Sequence, residues 1–282
     1  MKNIFTIDVE DWFHTMDFNF SMDTWHTYEN RIEYGLNAIM DVLSKHNVKA
    51  TFFVLGCVAK QHPSLIRRII ALGHEIGSHG MNHRMVTTQN REEFREDVIM
   101  SKEILQELTG QPIDLYRSSS WSIVPETIWA LGVLEEEGFI CDSSIQPFKT
   151  PLSGFKSAPR EPFYPIIDGR KLNILEFPPS VLPFLNGCLP FCGGLYLRTF
   201  PIEYIKYALK KVNKSNHGMI YTHPWELDCG QPRLKMPMHI KFTHYYNLDS
   251  TLNKLDGLLE SFKFTTLGEV VRKGKHQSKI LK

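Results

Sequence analysis

The stretch HEIGSHGMNH, residues 74–83, sets His79 and His83 four residues apart around a glycine. Two imidazoles at that spacing can hold one zinc ion if the turn between them is helix-like. In a chain with 12 histidines such a pair is weak support by itself. A nearby carboxylate changes its weight. A zinc site of mixed histidine and carboxylate type needs an oxygen ligand, and it keeps one position open for chemistry. TIDVED, residues 6–11, offers Asp8, Glu10 and Asp11. Arg117 stands in YRSSS, Asp142 closes ICD and His223 closes MIYTH. Such a set suits amide hydrolysis. A divalent metal lowers the pKa of a water to about 7. A carboxylate such as Asp8 can take the proton, and Arg117 would keep that carboxylate ionised. The metal and a backbone N–H can steady the oxyanion. An amine leaves only when protonated, and His223 is a suitable donor.

The elements that must position these residues alternate along the chain. NIFTIDV is apolar and β-branched, and KATFFVLG is a short continuous apolar run, so both read as buried strands. Between them Ile32, Leu36, Ile39, Met40 and Leu43 recur at helical spacing. PSLIRRIIALG has proline near its start and glycine at its end, the mark of a helix. Asn90 and Glu93 form a capping box for a helix over 91–108. LYRSS, FICDSSI and GMIYTH read as strands; PETIWALGVLEEEG, IEYIKYALKKVN and STLNKLDGLLESF read as helices. Residues 147–200, rich in Pro, Gly and Phe, break the rhythm and are expected to form hairpins and loops. Repeated strand–helix units predict an α/β fold with a parallel sheet. A barrel and an open doubly wound sheet both fit. In either, functional residues gather at the carboxyl ends of the strands. Asp8, His79, Arg117, Asp142 and His223 all fall there.

Composition sets wider limits. The chain of 282 residues is 42% apolar and 12% aromatic, enough for a large core. A net charge of +1 implies no general attraction to nucleic acid. Five cysteines, an odd number without framework spacing, predict free thiols. With a strand read at the very start, no leader is expected, and no apolar run reaches the ~18 residues of a membrane span. A cytoplasmic protein is expected, with peripheral membrane contact left open and oligomeric state unassigned. One domain over 1–271 is expected, followed by a basic tail over 272–282 with Arg272, Lys273, Lys275, Lys279 and Lys282.

TIDVED, SHGMNH, YRSSSWS, CDSSI and YTHPWE occur in the order and approximate spacing of the motifs of the polysaccharide deacetylases. The chain resembles this family, carbohydrate esterase family four with its NodB-type homology domain, over roughly residues 3–271. It is most similar to the subgroup found with exopolysaccharide and exosortase clusters. The resemblance implies a distorted parallel (β/α) barrel, here expected to have seven strands with extra hairpins in 147–200. It implies a metal-dependent hydrolase that removes N-acetyl groups from amino sugars of a glycan or glycan precursor.

By the same resemblance Asp8 corresponds to the catalytic base, and His79 and His83 to the metal histidines. Arg117 corresponds to the arginine that pairs with the base, His223 to the general acid, and Asp142 to the acid supporting that histidine. The metal carboxylate is Glu10 or Asp11. Alternation along a strand puts Asp8 and Glu10 on one face, which favours Glu10. Many relatives carry a proline where Ser119 stands, so the groove beside the acetyl group differs here. Trp121 and Trp225 either belong to the core or line a sugar-stacking groove. His14 and His26 are expected in loops, and His46, His62 and His74 in structural places. Zinc is the expected metal, with cobalt, nickel or iron close behind. Two rival readings stand beside this one: a hydrolase of a cyclic amide or ureide on the same fold, and a non-catalytic carbohydrate-binding protein.

Overall fold

Apolar runs of period two and amphipathic runs of period 3.6 become strands and helices in turn. The computed structural model describes residues 1–282 except Asn19, Asn186, Lys275 and Lys282. The first half runs β1 (Asn3–Val9), α1 (Ile32–Lys45), β2 (Thr51–Val54), α2 (Gly56–Gln61), α3 (Pro63–Ala71), β3 (Glu75–Ser78), α4 (Arg91–Thr109), β4 (Leu115–Tyr116), α5 (Ala130–Glu136) and β5 (Cys141–Asp142). The second half runs β6 (Phe163–Ile167), β7 (Arg170–Lys171), β8 (Leu175–Glu176), β9 (Val181–Phe184), β10 (Gly187–Pro190), α6 (Gly194–Thr199), α7 (Ile202–Val212), β11 (Met219–Thr222), α8 (Met238–Tyr245), α9 (Thr251–Ser261), β12 (Phe264–Thr265), α10 (Leu267–Lys273) and β13 (Gln277–Ile280).

Seven strands pair in parallel in the order β11-β1-β2-β3-β4-β5-β8. Every residue of β1 and β2 is buried, as expected for strands covered on both faces. Among the described residues no ladder joins β8 to β11. A side chain bridges that seam instead: the Met219 N–H donates to Ser180 Oγ at 2.7 Å. Arg117, just past β4, reaches Thr6 and Asp8 on β1 across the interior. The sheet is thus a distorted parallel barrel with its seam between β8 and β11.

Residues 147–200 do contain two hairpin pairings, β6 with β7 and β9 with β10. They also contain β8, which joins the parallel sheet beside β5. Its two residues are too short to show a period in the sequence. The stretch expected as a basic tail includes the end of α10 and β13, which pairs in parallel with β6. In it Arg272 pairs with Glu75 and Asp114, while Lys275 and Lys282 lie outside the described residues. No helix among the described residues is long and apolar enough to cross a membrane.

Two features aim the fold at one site. The loop after β11 packs against α1, where a Cβ on Gly35 would stand 1.8 Å from the Pro224 carbonyl oxygen. Only glycine lets the helix come that close. At the same end of the barrel Trp12, Phe13, Trp225, Tyr245 and Leu248 form a second aromatic core. It ties the segment after β1 to α8.

Candidate active site and metal centre

The acids of TIDVED part company where β1 ends. The Glu10 N–H donates to the Asp8 carbonyl at 3.0 Å, so the chain turns at once. Asp11 is spent on backbone. One oxygen accepts from Trp12 N–H at 2.8 Å, the other from Arg31 N–H at 2.7 Å and Ile32 N–H at 2.9 Å. It caps the helical turn at 12–14 and secures the start of α1. Glu10 instead faces His83, with Oε2 3.1 Å from Nε2. One ligand atom from each of Glu10, His79 and His83 lies within 4.8 Å of the other two, and all three residues are buried.

The histidine pair converges without a helical turn. Gly80 and His83 have left-handed backbones, with φ of 77° and 51°. The turn is pinned from outside: Asp97 Oδ2 accepts the Met81 N–H at 2.8 Å, and Cys57 N–H donates to the Met81 carbonyl at 2.9 Å. The helix-like turn expected from the spacing is therefore replaced by a glycine-dependent loop. His79 Nδ1 lies 2.8 Å from the Arg117 carbonyl, which can only accept. Nδ1 carries the proton, and Nε2 keeps its lone pair for a ligand. Burial lowers the pKa of both His79 and His83, so both rings are neutral, as metal ligands must be.

Arg117 is fully buried. Its Nη1 donates to Asp8 Oδ1 at 2.7 Å, and its Nη2 to Ser143 Oγ at 3.0 Å. Its plane lies against Phe53 and Trp121, 4.3 and 4.5 Å from the ring centres. Burial alone would raise the pKa of Asp8, but Arg117, His79 and His223 outweigh it and the pKa is lowered. Asp8 stays ionised. Glu10 has no guanidinium partner. Burial, with help from Asp8 and Glu226, outweighs the charge of His223 and pushes its pKa up to about 8, and its Oε2 accepts no hydrogen bond. A buried carboxyl with a bare oxygen beside two neutral imidazoles fits a divalent cation.

His223 sits across the pocket, its Nε2 3.3 Å from Glu10 Oε1 and 3.9 Å from Asp8 Oδ2. Its supporting acid is Glu226. Nδ1 donates to Glu226 Oε2 at 2.8 Å, and the same oxygen accepts the His223 backbone N–H at 3.0 Å. Burial would lower the pKa of His223, but Glu226, Glu10 and Asp8 outweigh it and raise it to about 9. The expectation for Asp142 is thereby corrected. Asp142 pairs in register with Glu176 of β8 and accepts from Ser144 Oγ. β8 brings a second buried carboxyl beside it, while Glu226, only three residues from His223, reaches the ring first.

Residues 23–132 match the family model described as polysaccharide deacetylase. Residues 143–272 match a second model, described as Domain of unknown function (DUF3473). The chain is 44% identical over 72 residues to the peptidoglycan-N-acetylglucosamine deacetylase of Bacillus cereus, covering 26% of this chain and 26% of that protein. It spans less than half the length of the curated relatives it matches. A putative polysaccharide deacetylase from Mycobacterium smegmatis superposes with a TM-score of 0.64 at 17% identity, covering 100% of this chain and 93% of that one. Puue allantoinase superposes with a TM-score of 0.60 at 17% identity, over 96% and 89% of the two chains. These last two likenesses concern the fold.

Around Glu10, His79 and His83 lies a pocket of about 500 Å³. Asp8, Glu10, His79, His83, Trp121, His223 and Trp225 line it, together with Tyr196 of α6 and Ile240 of α8. Trp121 and Trp225 are both core and pocket wall. Ser119 is buried away from the lining; the left-handed backbone at Ser120 and Trp121 presents those two residues instead. His14, expected in a loop, is buried and accepts the Asp11 N–H at 2.8 Å. Two participants escaped the sequence reading, Glu226 and Arg198. Glu226 had a signal: HPWE has proline at N1 and glutamate at N3, the spacing of a capping box. Arg198 had none, because it lies in a stretch without period.

Proposed function

We propose that this chain is a metal-dependent hydrolase that removes N-acetyl groups from amino sugars of a glycan or glycan precursor. The observation that carries the reading is the meeting of Asp8, Glu10, His79, His83 and His223 at the strand ends of one pocket. In this reading Glu10, His79 and His83 hold the cation, with zinc favoured by the donor set. When bound, the cation supplies Lewis-acid polarisation of the acetyl carbonyl and acidifies water. Asp8, held ionised by Arg117, takes the proton from the attacking water. His223, held by Glu226 and protonated, gives a proton to the departing sugar amine. Arg117 touches no substrate in this scheme; it fixes the base.

The pocket supports a sugar over a small ureide. Its volume of about 500 Å³ and its walls of Trp121, Tyr196, Tyr221 and Trp225 offer broad apolar faces with polar groups at one end. The ordered acids and histidines count against a purely binding role, since a buried Asp8–Arg117 pair and a bare Glu10 oxygen are costly to keep. Five free thiols agree with a reducing, cytoplasmic setting. The test is mass spectrometry of N-acetylated oligosaccharides and lipid-linked glycan precursors after incubation with metal-loaded protein. Loss of acetyl groups, absent with Asp8→Asn, supports the reading. Intact acetyl groups on every glycan, with turnover of a cyclic ureide, would replace it.

A further inference from the structure

Arg198, in the last turn of α6, is 1% exposed and makes four hydrogen bonds in two directions. Toward the catalytic end, Nε donates to Glu226 Oε1 at 2.8 Å. Away from it, Nη2 donates to the Thr243 carbonyl at 2.6 Å, and Nη1 to the carbonyls of His244 at 3.1 Å and Tyr246 at 2.7 Å. Those are final carbonyls of α8, which have no partner within the helix. A cation there satisfies them and complements the negative end of the helix dipole. One guanidinium therefore holds both the acid of the His223 dyad and the end of α8. α8 also supplies His239, Ile240 and Thr243 to the pocket lining, where Arg198 joins them.

A second link runs parallel to the first. Trp225 lies between His223 and His244, its ring 5.3 Å from one and 4.4 Å from the other, with interplanar angles of 19° and 6°. His244 is fully buried and is fixed on both nitrogens, by Asp17 at 3.0 Å and by Gln231 at 2.8 Å. Asp17 also lines the pocket. The roof and the proton donor are thus built as one unit. Every residue of that unit except Asp17 falls within 143–272, the stretch that matches the domain of unknown function.

We propose that Arg198 is a positioning residue that couples the α8 roof of the pocket to His223 through Glu226. The stretch 143–272 then supplies the proton-donor half of the site and the wall that receives the sugar, while the stretch before it supplies the cation and base half. The inference rests on the deacetylase reading for its kinetic consequences but not for its structural one. Lysine at 198 can keep a charge near Glu226 but cannot reach three carbonyls as well.

The experiment compares wild type, Arg198→Lys and Glu226→Gln. Divalent-metal content and hydrogen exchange over 238–246 are read without substrate. kcat and KM are read on an N-acetylated oligosaccharide. For Arg198→Lys we expect wild-type metal content, exchange over 238–246 faster by about tenfold or more, and a raised KM together with a lowered kcat. Glu226→Gln keeps an oxygen for Arg198, so we expect unchanged exchange and KM with kcat alone reduced. Wild-type exchange in Arg198→Lys, or a fall in kcat with KM untouched, would overturn the coupling. If the lysine variant does not accumulate as folded protein, Arg198→Gln carries the same comparison. Absence of acetate release by the wild type would overturn the deacetylase reading alone, because the exchange arm needs no substrate.

Discussion

Asp8 and Glu10, two residues apart at the end of β1, hold opposite proton affinities in one pocket. Arg117, at 2.7 Å, helps hold Asp8 below the ordinary carboxylate range, whereas Glu10 is pushed up to about 8. Both are buried. His223 lies near both, so the difference is the guanidinium that Asp8 has and Glu10 lacks. In the proposed reading, that division gives a base on one side and a cation ligand on the other.

Metal content should follow Glu10 and not Asp11. Elemental analysis is expected to find one divalent ion per chain in wild type and in Asp11→Asn. His79→Ala and Glu10→Gln should lose it. Asp11→Asn should instead lower stability by about 1–2 kcal/mol, the cost of a weakened cap, read as a lower midpoint in urea. Metal lost with Asp11→Asn but kept with Glu10→Gln would reverse the assignment.

His223→Ala should keep the metal and lose turnover by on the order of 10²–10⁴-fold, as for a removed proton donor. Glu226→Gln should lose less, about 10–100-fold, the usual effect of removing a supporting partner. It should also move the alkaline limb of kcat to lower pH, since Glu226 is the largest charge raising the pKa of His223 to about 9. A pH–rate profile of both proteins checks the shift. Asp142→Asn should leave that limb in place.

Asp142 and Glu176 face each other on β5 and β8 with no exposure. Burial is the largest cause raising both, Asp142 to about 6 and Glu176 well above its ordinary value. Raised folded-state values mean stability that is complete below the unfolded-state values of about 4. It is lost as pH rises through about 6 and beyond. Glu176→Gln keeps an oxygen for the N–H groups of Ser144 and Ile145 and offers Asp142 a donor. Calorimetry at pH 5 and pH 8 should show wild type losing more of its Tm between the two than this variant does. An equal loss would argue against a shared proton.

Gly35→Ala tests the contact that seats the His223 loop. The new methyl group would meet Pro224 backbone rather than a movable side chain. Overpacking of this kind costs about 1–3 kcal/mol. Stability and kcat should fall together, with metal content unchanged. A variant with full stability and full turnover would show that the loop tolerates displacement.

By itself the sequence named the polar residues on offer and the end of the sheet where they gather. Apolar runs of four to seven residues mark strands because both their faces are covered, and polar residues just past them must lie at the strand ends. Asp8, His79, Arg117 and His223 were legible for that reason. Alternation along a strand favoured Glu10 over Asp11, but β1 ends at Val9 and the turn at Glu10 is what parts the two acids. What the tertiary structure decided depends on partners distant in the chain. Asp142 could not be told from Glu226 as the partner of His223 until β8 placed Glu176 against it. The loop carrying His79 and His83 takes its shape from Asp97 on α4 and from α2, not from its own spacing. Arg198 acquired its place only because α6, α8 and the loop after β11 meet, 28 residues separating it from Glu226 and 48 from Tyr246. Local periodicity reports which face a side chain takes. It carries no record of which distant element will come to meet that face.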